Sequence, residues 1–132
     1  MSNYRKKLIV KPGSKIRLKH FDPGYHGKYE SHKAASPEIQ ENRQKMDELQ
    51  FLMYAENKHS LLVVLQGLDA AGKDGVVRHI FSGMNPAGCV SVDFKEPTPK
   101  ELAHDFLWRV HPHVPAKGSV VIFNRSHYEM CW

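Results

Sequence analysis

The 132-residue chain is short of cysteine, of long apolar runs and of clustered aromatics, and each shortage removes a class of protein. Two cysteines, Cys89 and Cys131, provide neither a disulfide framework nor a four-cysteine metal site, and such usage fits a reducing cytoplasm. No apolar run approaches the roughly 20 residues that span a bilayer. The basic N-terminus has no apolar stretch behind it that would make a signal peptide, so no membrane partner is expected. No aromatic ladder or RNA-binding signature accompanies the basic residues, and nucleic acid is not an expected partner. His111-x-His113 is set among Pro112 and Pro115 and lacks a third ligand, which reads as a turn rather than a metal pair. With 41% hydrophobic and 25% charged residues, what remains is a globular chain with room for one domain.

What is present is concentrated in LLVVLQGLDAAGKDG, Leu61 to Gly75. The β-branched run Leu61 to Leu65 has the length of a strand buried on both faces, as in a parallel sheet. Gly67, four residues, then Gly72-Lys73 matches a phosphate loop, in which backbone N–H groups converge on phosphate oxygens and the lysine adds a point charge. The candidate phosphate-binding residues are Gly67, Ala70, Ala71, Gly72, Lys73, Asp74 and Gly75, completed by the N-terminus of the following helix. A tight strand-to-helix turn would use the same glycines for their backbone angles, but would give Lys73 no task. The residue after the lysine is ordinarily Ser or Thr, whose hydroxyl holds Mg²⁺; here it is Asp74, so metal ligation has to come from elsewhere.

The net charge of +5 is uneven. Residues 1–28 hold eight Lys/Arg against Asp22, a net +7, while residues 29–132 hold 11 basic and 13 acidic residues, a net −2. The basic arm suits a polyanion, or is a solvated extension.

Residues 1–35 read as this arm, extended with turns at Pro12-Gly13 and Asp22-Pro23-Gly24. Ser36-Pro37-Glu38 predicts a helix start, with Ser36 as cap, Pro37 at the first helical position and Glu38 as an acid in the first turn, running to about Asn57. Ile39, Met46, Leu49 and Met53 share one face that should pack on the sheet. After the phosphate loop, Val76, Val77, Ile80 and Phe81 give a first crossover helix, ended by Gly83 and Asn85-Pro86. Cys89 to Phe94 alternates as a second strand, with Lys95 at its end, and Cys89 reads as a buried small residue. Thr98-Pro99-Lys100-Glu101 is a capping box, and Leu102, Phe106 and Val110 continue it as a second crossover helix, with Phe106 and Trp108 as core. Val120 to Phe123 is a third buried strand, followed by Asn124 and Arg125. Strands alternating with helices imply an α/β fold with a parallel sheet, whose ligands bind beyond the carboxyl ends of the strands.

GLDAAGKDG, SGMNP, FKEPT, ELAHDFLWRVH and FNRSHYE together resemble the family-2 polyphosphate kinases, from about Arg17 to Glu129. The resemblance implies a P-loop, kinase-like three-layer fold, of which residues 36–132 form the N-terminal part, with three of about five strands legible. It implies transfer of the terminal phosphoryl group of inorganic polyphosphate to a nucleoside mono- or diphosphate, with Mg²⁺ as cofactor, and a homo-oligomer at full length. Asp69 is assigned by the resemblance to acceptor activation and metal binding; a turn-stabilising side chain is the alternative. Lys73 and the loop amides would neutralise charge on the transferring group.

Asn124 stands where the generic strand ends in Asp; its amide oxygen can ligate Mg²⁺ but brings no charge. Arg125 offers a bidentate fork for phosphate, with an internal salt bridge as the alternative. Lys95 is placed to line the polyphosphate path, or is a solvated loop lysine. Glu129-Met130-Cys131-Trp132 departs from the family's continuation, and no basic lid follows, so an impaired, C-terminally truncated fragment is expected. An ATP-dependent small-molecule P-loop kinase and a non-catalytic polyanion-binding fragment are the competing functions.

Overall fold

A computed structural model describes residues 7–128; Arg5 and Lys6 of the arm, and Glu129, Met130, Cys131 and Trp132, lie outside the described residues. The chain divides into two compact units, Met1–Ile39 and Gln40–Trp132. Among the described residues of the first unit no side chain is fully buried. A short 3-10 turn forms at Leu18–His20. Lys28 Nζ lies 3.1 Å from Glu38 Oε2, and the Tyr29 hydroxyl donates to the same oxygen. Those two donors, Tyr29 foremost, hold the Glu38 carboxyl below its ordinary range.

Helix α1 spans His32–Glu56 and begins earlier than the Ser36-Pro37 signal predicts. Ser31 acts in place of Ser36: its hydroxyl accepts the Ala34 N–H at 3.2 Å. Pro37 therefore lies inside the helix. Lacking an N–H, it leaves the Lys33 carbonyl without its helical donor, a modest cost so close to the helix N-terminus. Asn57 ends the helix in a left-handed conformation, φ 52.

The second unit is built on a three-stranded parallel sheet of order β1-β3-β2. The strands are β1 (Leu61–Leu65), β2 (Cys89–Asp93) and β3 (Val120–Asn124). The strand paired on both sides is β3, and its Val120 and Ile122 are each 1% exposed. The β1 strand, expected to be buried on both faces, is an edge: Leu61 and Val64 are 46% exposed. Among the described residues it pairs only with β3, so its other flank shields none of its side chains. On one face of the sheet Val121 and Phe123 pack with Phe94 and Val110, the Phe94 and Phe123 rings meeting edge to face at 4.7 Å. On the other face Val120 and Val63 line an open cavity together with Met46, Leu49 and Met53 of α1, and Leu49 stays 65% exposed, so the stripe faces the sheet across a gap instead of packing closely on it as expected.

Helix α2 (Lys73–Ile80) runs into a 3-10 turn at Phe81–Gly83, where the glycine signal puts its end. The second crossover is not the helix expected. Helix α3 is a single turn, Pro99–Leu102, carrying the predicted capping box between Thr98 and Glu101. Beyond Ala103 the chain proceeds through turns, because Asp105 Oδ1 captures the Leu107 N–H at 2.9 Å and diverts the backbone from the helix. Leu102 and Phe106 consequently stay 58% and 56% exposed, while Val110 reaches the core. Trp108 stacks on His104 at 4.1 Å instead of entering the core. His111–His113 forms the predicted turn, and Cys89 is half-buried, which pushes its thiol pKa up.

Candidate functional site

The loop between β1 and α2 has Ala70 at φ 62 and Gly72 at φ 90, both left-handed. At Gly72 the absence of a Cβ allows this without strain, which explains the glycine before the lysine. Lys73 opens α2, and its ammonium donates to the Gly67 and Leu68 carbonyls at 2.7 and 2.8 Å. The charge is thereby held over the loop, next to the helix N-terminus.

Strand register assembles the rest of the edge. Leu65, Asn124 and Asp93 are paired across the three strands, so whatever follows each of them emerges side by side. Asn124 Nδ2 donates to Asp74 Oδ1 at 2.6 Å and to Asp93 Oδ1 at 2.9 Å. One amide thus ties the β3 end to the phosphate-loop helix and to the β2 end. Its own oxygen, Oδ1, is buried without a hydrogen-bond partner among the described residues.

Arg125, in a left-handed conformation at φ 68, donates from Nη2 to Asp69 Oδ1 at 2.7 Å. Asp69 is 84% exposed at its side chain, so this is a surface ion pair that bridges two loops. Lys95 is exposed one residue past Phe94, on the same edge. Gly67 to Gly75, Lys95, Asn124 and Arg125 therefore fall together at the carboxyl ends of the strands, as the alternation of elements implies.

Three residues at this edge were not singled out by their sequence pattern. Asp93 is the last residue of β2, a position that a reading of strand ends would have flagged. Ser126, 1% exposed, donates to Gln66 Oε1 at 3.0 Å and locks the turn after Arg125 to the start of the phosphate loop. Arg109, 7% exposed, lies 3.2 Å from Glu101 Oε1 and donates to the Lys95 carbonyl at 2.8 Å, with its guanidinium 5.3 Å from the Phe94 ring. It anchors the loop that carries Lys95. Glu101 is itself held below the ordinary carboxyl range, first by the Thr98 backbone N–H, then by the Thr98 hydroxyl, with Arg109 adding to both.

A glycine-rich loop between a parallel strand and a helix, with a lysine over it and an arginine on the adjacent strand end, defines a P-loop protein of the kinase type. Residues 29–132 match the Polyphosphate kinase 2 family, and the chain belongs to it. It is 50% identical over 125 residues to the AMP/ADP-polyphosphate phosphotransferase of Meiothermus ruber, covering 94% of this chain and 47% of that protein. It is 42% identical over 128 residues to the ADP-polyphosphate phosphotransferase of Rhodopseudomonas palustris, covering 94% and 43%. The crystal structure of Polyphosphate Kinase 2 from Arthrobacter aurescens superposes with a TM-score of 0.85 at 38% identity, over 95% of this chain and 45% of that one. The chain thus spans less than half the length of these relatives.

Proposed function

We propose that this edge binds a phosphate chain and serves transfer of a terminal phosphoryl group from inorganic polyphosphate to a nucleoside mono- or diphosphate in a reducing cytoplasm. The observation that carries the reading is the convergence of Lys73, Asp69–Arg125 and Asp74–Asn124–Asp93 on one sheet edge. The names of the relatives support the substrate class, since they specify AMP, ADP and polyphosphate.

Phosphoryl transfer asks the protein mainly to position the groups and to neutralise charge. Lys73, held over the loop by the Gly67 and Leu68 carbonyls, would place its charge beside phosphate oxygens that the loop amides bind. Arg125 is pre-aimed by Asp69; a phosphate offers its fork two oxygens, and shifting onto them releases the Asp69 carboxylate towards the acceptor. Lys95 extends the positive edge along the chain of phosphates.

The residues fit Mg²⁺. The donor set consists of oxygens alone: the Asp69, Asp74 and Asp93 carboxylates and the buried, unpartnered Asn124 Oδ1. Among the described residues no group of three His, Cys, Asp or Glu side chains is close enough to hold a metal by itself. A cation held by one or two of these oxygens would take its other ligands from phosphate and water. Bound there, Mg²⁺ would neutralise charge on the phosphate oxygens.

The test is ATP formation from ADP, polyphosphate and Mg²⁺. Lys73→Ala is expected to lower the rate at least about 100-fold, the scale of losing one preorganised charge on the transferring group. For the 132 residues by themselves, turnover is expected to fall below that of the Meiothermus ruber relative. Equal rates for the wild type and Lys73→Ala, with wild-type turnover measurable, would refute the reading, and use of ATP as donor with polyphosphate ignored would replace it with an ordinary small-molecule kinase.

A further inference from the structure

Residues 7–27 hold five Lys/Arg, at positions 7, 11, 15, 17 and 19, against one acid, Asp22. The structure gives this run a defined course. Lys11 to Ser14 is a turn, closed by the Ser14 N–H on the Lys11 carbonyl at 3.2 Å, with Gly13 left-handed at φ 76. Arg17 is extended, φ −120 and ψ 131, and leads into the 3-10 turn at Leu18–His20. Asp22 opens a second turn, in which the Tyr25 N–H donates to its carbonyl at 3.1 Å. Lys7 Nζ lies 3.4 Å from the centre of the Tyr25 ring, so the two ends of the run meet and the segment between them is a closed loop. A loop closed in this way differs from the solvated extension that the sequence also allows.

The charge on the loop is uncompensated. Asp22 Oδ1 accepts the Gly24 N–H at 2.9 Å, which commits the one acid to its own turn. Lys11, Lys15, Arg17 and Lys19 are exposed, and none of them has an acidic partner among the described residues. Four cations within nine residues repel one another, and an anion that carries many charges relieves this where a single charge does not.

We propose that this loop is a second binding element for polyphosphate, separate from the phosphate loop, and that it gives the chain a preference for long polymers. The proposal rests on the reading of polyphosphate as the substrate. A polymer held at two places is retained more strongly than a short one that fills either. Other polyanions fit the loop less well. Single-stranded nucleic acid is held on aromatic faces, and the Tyr25 ring is already covered by Lys7. A lipid surface takes up an amphipathic helix, whereas the only helical piece of the basic run is the three-residue turn at Leu18–His20. Polyphosphate has no bases and asks only for a row of cations.

The test measures binding of long-chain polyphosphate and of tripolyphosphate to the 132-residue chain and to a variant with Lys15→Gln, Arg17→Gln and Lys19→Gln. Long-chain affinity is expected to fall at least about tenfold, and the slope of log K against log salt to lessen by about 2, as three phosphate contacts are lost. Tripolyphosphate, too short to engage both places, should bind the two proteins alike. Lys15→Arg with Lys19→Arg should keep the long-chain affinity, because the loop needs charge and not lysine as such. The proposal is overturned if long-chain affinity is unchanged in the glutamine variant, if tripolyphosphate binding falls by the same factor, or if the arginine variant loses as much as the glutamine one. It is also overturned if oligothymidylate binds more tightly than polyphosphate of equal phosphate content, or if the glutamine variant loses binding to phosphatidylserine vesicles and keeps it to polyphosphate. The long-chain loss should appear in a Lys73→Ala background as well, and its disappearance there would overturn the proposal. Tripolyphosphate binding that ignores Lys73 would count instead against the phosphate loop, so the two readings fail separately.

Discussion

At the scale of single residues, the interior is notable for the polar groups it holds. Arg109 is nearly buried yet spans from Glu101 to the Lys95 carbonyl, so one guanidinium fixes the loop that presents Lys95. Glu101 carries the pH dependence of this arrangement. Its pKa is lowered in the folded chain, so its stabilisation is present above the ordinary carboxyl range and is lost as pH falls through the lowered value. Thermal unfolding followed from about pH 7 down to about pH 3 should show the consequence. Glu101→Gln is expected to lower Tm at neutral pH and to flatten the decline on the acid side; parallel curves for the two proteins would show that the carboxylate contributes nothing. No pattern of hydrophobicity announces Arg109, because burial of a charge depends on partners supplied by the fold.

Among the elements, β3 and β1 have similar apolar sequences and different surroundings. Ile122→Ala should cost about 2–5 kcal/mol, the range for emptying a packed site, because Ile122 is 1% exposed. Leu62, 40% exposed, should cost much less on substitution by alanine. Chemical denaturation of both variants checks the contrast, and equal losses would contradict an edge position for β1. The apolar runs located β1 to the residue and β3 to within one residue but could not rank their burial, since that depends on how many neighbours each strand acquires. The capping box at Thr98 to Glu101 was legible because its signal is local. The length of α3 is not, because one aspartate, Asp105, turns the backbone while the apolar stripe continues in the sequence. The start of α1 was likewise misplaced by Pro37, a strong signal for a first turn that the helix accommodates inside itself.

For the molecule as a whole, the candidate site was legible in outline. The phosphate loop, Lys95 and Asn124-Arg125 were placed on one edge by topology alone, since parallel strands put all their carboxyl ends together. The pairings were not legible: that Arg125 meets Asp69, and that Asn124 holds Asp74 and Asp93, depends on register. Every one of those pairings is referred to β3, the strand bonded to both others. The consequence concerns insertions and deletions. Adding or removing one residue before Ala116 leaves in place the strand and the bonds that lead into it, from the Gly118 N–H to the His59 carbonyl and from the Leu61 N–H to the Ser119 carbonyl, and should be tolerated. Removing one residue within Val120–Asn124 displaces Asn124 and Arg125 by about 3.3 Å and turns each side chain after the gap to the opposite face. A library of single-residue deletions across 114–126, scored for soluble folded protein, should show a sharp boundary where pairing with the β1 segment begins, at Gly118. The length of this one strand serves as the ruler against which the phosphate loop and the β2 end are both aligned, so evolution can vary its composition far more readily than its count.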